Sequence, residues 1–281
     1  MIASATVRAA EPSWLDRTGA ALHDVAAVTW RNLVHIAREP MQLMDVTVQP
    51  VLFTLLFVYV FGSGIPIPGG GTYASFAVAG LLLLNLTTSS MGTAVGLTTD
   101  LSTGVIDRFR TLPMWSPAVL VGRSIADLLT AALCSTIVAL SGYVVGWRPG
   151  AGLGATIAGF AVALLFAYAL SWVGACVGLV AKGAEAAQSV GFLALFPLSF
   201  VSNALVPTNG MPAWLRAITD WNPVSAVTAA VRTLCANPNP SAASGAWAMQ
   251  HPVWMALAWS AAILAVCAPL ASVLYRRRTK D

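Results

Sequence analysis

Five stretches of this chain contain no Asp, Glu, Lys or Arg: 46–99, 128–147, 149–181, 186–215 and 233–275. They hold 54, 20, 33, 30 and 43 residues. About 20 apolar residues suffice for a helix to cross the hydrocarbon of a bilayer. The first run holds two such lengths, parted by Gly62-Ser63-Gly64-Ile65-Pro66-Ile67-Pro68-Gly69-Gly70-Gly71. Only 9% of the chain is charged, against about 25% in a soluble domain. These features exclude a disordered chain, a disulfide-stapled secreted domain and an ordinary cytosolic enzyme.

Six spans are expected, near 44–61, 73–97, 119–145, 155–180, 187–206 and 253–274. A lipid-exposed backbone must satisfy its own polar groups, which leaves helices or closed barrels. The segments are continuously apolar, without the alternation of barrel strands, so the expected fold is an all-α integral membrane protein. Before residue 46 there is no apolar core of the kind a signal peptide carries, and no cleavage is expected. Lys and Arg set the orientation. With the N-terminus inside, the inner side holds 12 and the outer side 3, namely Arg148, Arg216 and Arg232. Both termini are therefore expected in the cytoplasm, with the chain in the plasma membrane. The basic balance is a topology signature and gives no reason to expect nucleic acid.

The polar segments divide the rest. Residues 1–20 read as a flexible cytoplasmic N-terminus, 21–40 as an interfacial amphipathic helix, 41–276 as the six-span domain and 277–281 as a basic tail. In 21–40, Leu22, Val25, Ala26, Thr29, Leu33 and Ile36 follow a helical spacing, with Asp24, Arg31, His35 and Arg38 on another face. Pro40 should end that helix. It could be a topological anchor or a lever onto the first span. Between spans two and three, Val105, Ile106, Phe109 and Leu112 form an apolar face, with Asp107, Arg108 and Arg110 elsewhere. That pattern suits a short docking helix or a solvated loop.

The run Gly104-Val105-Ile106-Asp107-Arg108-Phe109-Arg110-Thr111-Leu112-Pro113 resembles a loop of the type-2 ABC exporter permeases. The likeness is to the daunorubicin-resistance permease branch. Three further stretches are similar: Arg31-Asn32-Leu33 through Arg38-Glu39-Pro40 with Gln49-Pro50; Ala181-Lys182 with Ala184-Glu185-Ala186-Ala187-Gln188; and Val206-Pro207, Met211-Pro212, Trp214-Leu215, Asn222-Pro223-Val224 and Arg232. The resemblance implies a permease subunit driven by two separate cytoplasmic ATPase subunits, paired with a second copy or a homologous permease. It makes Gly104, Asp107, Arg108 and Arg110 contacts to the ATPase. Asp100, Phe109, Arg31, Arg38, Glu39, Lys182 and Glu185 lie in the same inner segments and are further candidates. The chain has no G-x-x-x-x-G-K-[ST] phosphate loop. ATP and Mg are accordingly expected on the partner, with no cofactor and no catalytic residue here.

Other polar residues leave alternatives open. Asp127 follows Arg123 by four residues, the spacing of helical neighbours, so a surface-level ion pair competes with a proton relay. Asn85, Thr88 and Ser89 in span two, and Ser199, Ser202 and Asn203 after Pro197 in span five, could bind helix to helix or border a substrate path or dimer seam. Outside span five, Val224, Val227, Ala230, Val231 and Leu234 repeat helically, with Ser225, Thr228 and Arg232 off that face. Two short helices dipping into the outer leaflet are expected, with Met211, Trp214, Trp221, Asn222 and Pro223 as a packing lid or an outer gate. The four Cys and three His are too scattered for a metal site. The function expected is ATP-driven export of a drug, antibiotic or lipid-like molecule; an ion-gradient-driven efflux transporter or a non-transporting scaffold are the alternatives.

Overall fold

The computed structural model describes residues 14–68, 70–105 and 118–278, and the side chains from residue 22 onward. Among these residues the chain is helical, with no strand. Ten helices follow one another: α1 (Trp14–Arg38), α2 (Pro40–Leu56), α3 (Tyr73–Ser102), α4 (Ala118–Val144), α5 (Leu153–Val180), α6 (Ala184–Phe200), α7 (Ala213–Trp221), α8 (Pro223–Leu234), α9 (Trp247–Gln250) and α10 (Pro252–Arg278). A π-helical turn, Phe57–Phe61, extends α2. Five of these helices are long and apolar enough to cross a membrane: Pro40–Phe61, Tyr73–Ser102, Ala118–Val144, Leu153–Val180 and Pro252–Arg278.

Local chemistry sets the helix ends. α1 already runs from Trp14, inside the stretch expected to be flexible, and closes on Arg38, a cation in the last turn where the helix dipole favours one. Glu39 is extended, and Pro40 then begins α2, at the position where its missing N–H costs nothing. Thr72 caps α3, its hydroxyl accepting the Ser75 N–H at 3.2 Å. Arg278 closes α5 from another helix, its Nε donating to the Leu179 carbonyl at 3.0 Å.

α3 is the central element, and α2 and α10 are the least covered of the long apolar helices. Thr98 of α3 reaches the Gly178 carbonyl of α5, and Cys176 of α5 reaches the Cys267 carbonyl of α10. α3, α5 and α10 therefore run one way, and α2, α4 and α6 run back. The starts of α4 and α6 and the ends of α3, α5 and α10 form a charged end, with Asp100, Arg123, Lys182, Glu185 and Arg276–Arg278. The segments 62–68, 70–72, 145–152 and 201–251, the last with α7, α8 and α9, form the opposite, capped end.

One expectation needs correction. Span five was expected to stay helical from 187 to 206, but α6 stops at Phe200 after 17 residues, and 201–206 continue without helix. Apolar composition alone cannot reveal that break, because its backbone partners come from distant segments. The apolar stripe of α1 is covered only in part. Val25, Val28, Thr29 and Asn32 are buried, while Leu22 is 71% exposed. The contact is set by backbone approach: a Cβ on Gly122 of α4 would meet Val28 Cβ at 2.9 Å and the Val25 carbonyl at 3.0 Å. Thr29 fits there, donating to the Gly122 carbonyl at 3.0 Å. Leu33 and Ile36 of the stripe are half-buried, and Leu22 and Ala26 stay exposed.

Candidate functional site

At the charged end, two acids and two arginines join three helices. Arg31 Nη2 of α1 lies 2.8 Å from Asp100 Oδ2 of α3. Arg123 Nη1 of α4 lies 3.5 Å from the same oxygen, and its Nε lies 3.8 Å from Asp127 Oδ1. Thr93 of α3 donates to Asp127 Oδ2 at 2.7 Å, and Arg31 also donates to Asn32 Oδ1 at 2.9 Å. The Arg123, Asp100 and Asp127 side chains are only 17–19% exposed. The expected Arg123–Asp127 ion pair forms, mostly enclosed and as one link of a larger network.

The network depends on two glycines. Arg123 lies across α3 and donates to the Gly92 carbonyl at 3.1 Å. A Cβ on Gly96 would fall 1.8 Å from Arg123 Nη2. Gly92 and Gly96 are four residues apart, so they share a helix face and cut a groove for the guanidinium. Asp100 is also an acid in the last turn of α3, where the helix dipole opposes it. Arg31 and Arg123 supply the compensating charge. Arg123, Thr93 and Gly96 were not among the expected site residues; the Gly-x-x-x-Gly spacing was the available signal.

The other inner candidates do not converge. Gly104 follows α3 with φ +69°, a left-handed turn that suits glycine. Asp107, Arg108, Phe109 and Arg110 lie outside the described residues. Arg38 and Glu39 at the α1–α2 junction, and Lys182 and Glu185 between α5 and α6, are exposed and take no part in the network. Glu185 sits in the first turn of α6, where the dipole favours an acid.

The path candidates separate into two groups. Asn85 turns back onto the Leu81 carbonyl and is buried. Ser199, Ser202 and Asn203 are buried too. Thr88 and Ser89 are exposed on α3, in line with Gly92 and Thr99. Beside them α6 buries only Ala187, Gly191, Leu195 and Ser199, and carries an exposed ladder of Phe192, Phe196 and Phe200 with ring centroids 4.6 and 4.2 Å apart.

At the capped end, α7 turns Trp214, Ile218 and Trp221 outward and buries Thr219 and Asp220. This inversion of the usual soluble pattern suits a helix against lipid. Met211 is half-buried and Pro223 opens α8. Asn222 is buried: its Oδ1 accepts the Val224 N–H at 2.8 Å as the α8 cap, and its Nδ2 donates to the Leu198 and Val201 carbonyls. Ser225, Thr228 and Arg232 are fully buried as well. The two-faced reading of α8 fails because α3, α5 and α10 all pack on it.

Burial raises the Asp220 carboxyl above its ordinary 3.8, and the Ser244 hydrogen bond and the Arg216 charge only partly oppose this. A raised carboxyl favours the protonated fold, so its contribution is complete in acid below 3.8 and fades as pH rises through the raised value. Asp220→Asn should remove this dependence. Thermal melts should converge with wild type in acid and show the variant higher at neutral pH, by about 2–4 °C per kcal/mol relieved.

Residues 23–235 match the protein family described as ABC-2 type transporter. The chain is 33% identical over 249 residues to the daunorubicin resistance ABC transporter permease protein of Streptomyces coeruleorubidus, covering 89% of this chain and 84% of that protein. It is 26% identical over 258 residues to the "Probable doxorubicin resistance ABC transporter permease protein" of Mycobacterium tuberculosis, covering 89% and 87%. The family match includes every residue of the ion network.

Proposed function

The chain belongs to the ABC-2 type transporter family, as the membrane permease subunit of an ABC exporter, and on that premise we propose that it moves a hydrophobic or amphiphilic cargo, a drug or lipid-like molecule, across the plasma membrane. Two permease chains, either two copies or this chain with a homologue, work with two cytoplasmic ATPase subunits that hold ATP and Mg. The charged end and both termini face the cytoplasm. α6 and the non-helical 201–206 together make the sixth crossing, and α7 and α8 dip into the outer leaflet.

The observation that supports a driven permease is the Arg31–Asp100–Arg123–Asp127 network. It joins α1 to α4 and to the end of α3, at the root of the segment that carries Asp107, Arg108 and Arg110. A push from the ATPases on that segment reaches α1 and α4 through ionic links. Thr88 and Ser89, with the thinly covered face of α6, supply the seam or path.

The test is ATP-dependent uptake of a small drug and lipid panel into inverted vesicles, with and without the ATPase subunit. Asp107→Ala with Arg110→Ala should cut uptake and ATPase co-purification by about tenfold or more, since each lost charged contact costs about 1.5–3 kcal/mol. Uptake that follows a proton gradient and ignores ATP depletion would end this reading.

A further inference from the structure

Where α6 stops, its continuation lies in apolar surroundings without a helix to satisfy its backbone. Ser202, Asn203, Ala204 and Leu205 are all buried. Polar backbone at such a place persists only with protein partners, and five carbonyls and the Asn203 N–H here have side-chain partners. Asn222 Nδ2 donates to the Leu198 and Val201 carbonyls at 2.8 and 2.6 Å. Arg232 Nη1 and Nη2 donate to the Asn203 and Ala204 carbonyls at 2.9 and 2.7 Å. The Tyr73 hydroxyl donates to the Leu205 carbonyl at 3.1 Å. Ser225 Oγ accepts the Asn203 N–H at 3.0 Å.

Arg232 goes further. Its Nε donates to the Phe76 carbonyl of α3 at 3.1 Å, and its guanidinium carbon stands 3.6 Å from the centre of the Phe76 ring. The side chain is fully buried, with no acidic partner among the described residues. Carbonyl dipoles and an aromatic face replace the missing anion. The planar guanidinium holds three carbonyls on two segments at once, a geometry an ammonium does not supply. Gly80 permits the approach, because a Cβ there would stand 1.8 Å from the Ala204 oxygen.

An isolated buried cation is costly to retain, and the rest of α6 is bound only by one narrow stripe. We infer that Arg232 is a positioning residue that pins the end of α6 to α3, making the 198–206 knot the fixed pivot about which α6 swings when the charged end is driven. The swing rests on the permease reading above; the pin does not. Within the chain α6 buries only its stripe Ala187, Gly191, Leu195 and Ser199 and joins α5 through Gly183, so the end the knot leaves to move is the charged one.

The experiment uses the full chain, alone and with its ATPase subunits. Hydrogen exchange of the free chain is read over 201–206 and over 153–180. Arg232→Gln should raise exchange in 201–206 by about tenfold or more, with 153–180 unchanged and Arg232→Lys intermediate. Tyr73→Phe, a milder change, should act in the same direction on 205–206 only. In the reconstituted complex, Arg232→Gln should lower the cargo moved per ATP hydrolysed, a ratio that loss of folded protein alone does not alter. The pin is overturned if exchange in 201–206 stays within about twofold of wild type in both Tyr73→Phe and Arg232→Lys. A rise spread equally over 153–180 also overturns it. An unchanged cargo-to-ATP ratio in Arg232→Gln overturns the pivot. A wild-type complex that moves no cargo with ATP overturns the permease reading instead.

Discussion

Asp100→Asn is expected to uncouple transport from ATP while leaving the helices inserted. The substitution keeps the shape and removes the one charge that Arg31 and Arg123 share, at 2.8 and 3.5 Å. Arg31 and Arg123 then face each other without the anion that stood between them, although Asp127 still lies 3.8 Å from Arg123. At an effective dielectric near 20, two unit charges about 6 Å apart repel by about 3 kcal/mol. Partial exposure of Arg31, 34%, reduces this to about 1–2 kcal/mol. The least anchored element gives way first. That element is α1, held to α4 by the Thr29–Gly122 contact and to α3 by the ionic link. ATP-driven uptake should fall by about tenfold or more, and the melting midpoint by a few degrees. Adding Arg31→Gln removes one of the two opposed cations. The double variant should regain stability without regaining uptake, because the tie between α1 and α3 is still absent. A double-mutant cycle on the melts gives the Arg31–Asp100 coupling directly. Full uptake by Asp100→Asn would place the driving link elsewhere.

The parts of the molecule visible in the sequence are those governed by single segments. Charge-free runs mark the long helices because lipid punishes an unpaired charge wherever it falls. Pro40 marks the α1–α2 junction for a reason internal to proline. The Arg123–Asp127 spacing gave half of the network, since i and i+4 are neighbours on any helix. Asp100 and Arg31 are 69 residues apart, and only the folded chain brings them together. The end of α6 illustrates the same divide. Asn203, Ala204 and Leu205 look compatible with a helix until Arg232 and Tyr73 arrive to take their carbonyls. α8 looked two-faced because Ser225, Thr228 and Arg232 are polar, yet each finds a buried partner: Thr228 donates to the Val224 carbonyl, Ser225 accepts the Asn203 N–H, and Arg232 donates to the knot. Of the α1 stripe, Val25 and Thr29 meet α4 rather than the larger Leu22, because close backbone approach at Gly122 selects them.

Gly174→Val should lose nearly all of the folded protein, a larger effect than any charge change. Between apolar helices in lipid there is little hydrophobic drive, so association depends on close packing at small residues. Gly174-Ala175-Cys176-Val177-Gly178 supplies that spacing on α5. A Cβ on Gly174 would stand 2.3 Å from the Ser90 carbonyl oxygen of α3, and one on Gly178 would stand 2.6 Å from the Ala94 oxygen. Backbone atoms cannot rotate aside as a long side chain can. The helices must part by an ångström or more, and the Thr98 hydroxyl then leaves the Gly178 carbonyl, now 3.0 Å away. Overpacking of this kind costs about 1–3 kcal/mol or more, and here it falls on the central helix. Because α3 also carries Asp100 and the Phe76 carbonyl, its displacement strains both the ion network and the Arg232 knot. Gly154 lies on the same α5 with nothing within 4 Å of its added Cβ. Gly154→Val should therefore keep near wild-type yield, measured as monodisperse protein from detergent extracts, with Gly178→Ala between the two. Equal yields from Gly154→Val and Gly174→Val would mean that the α3–α5 seam does not hold the bundle together.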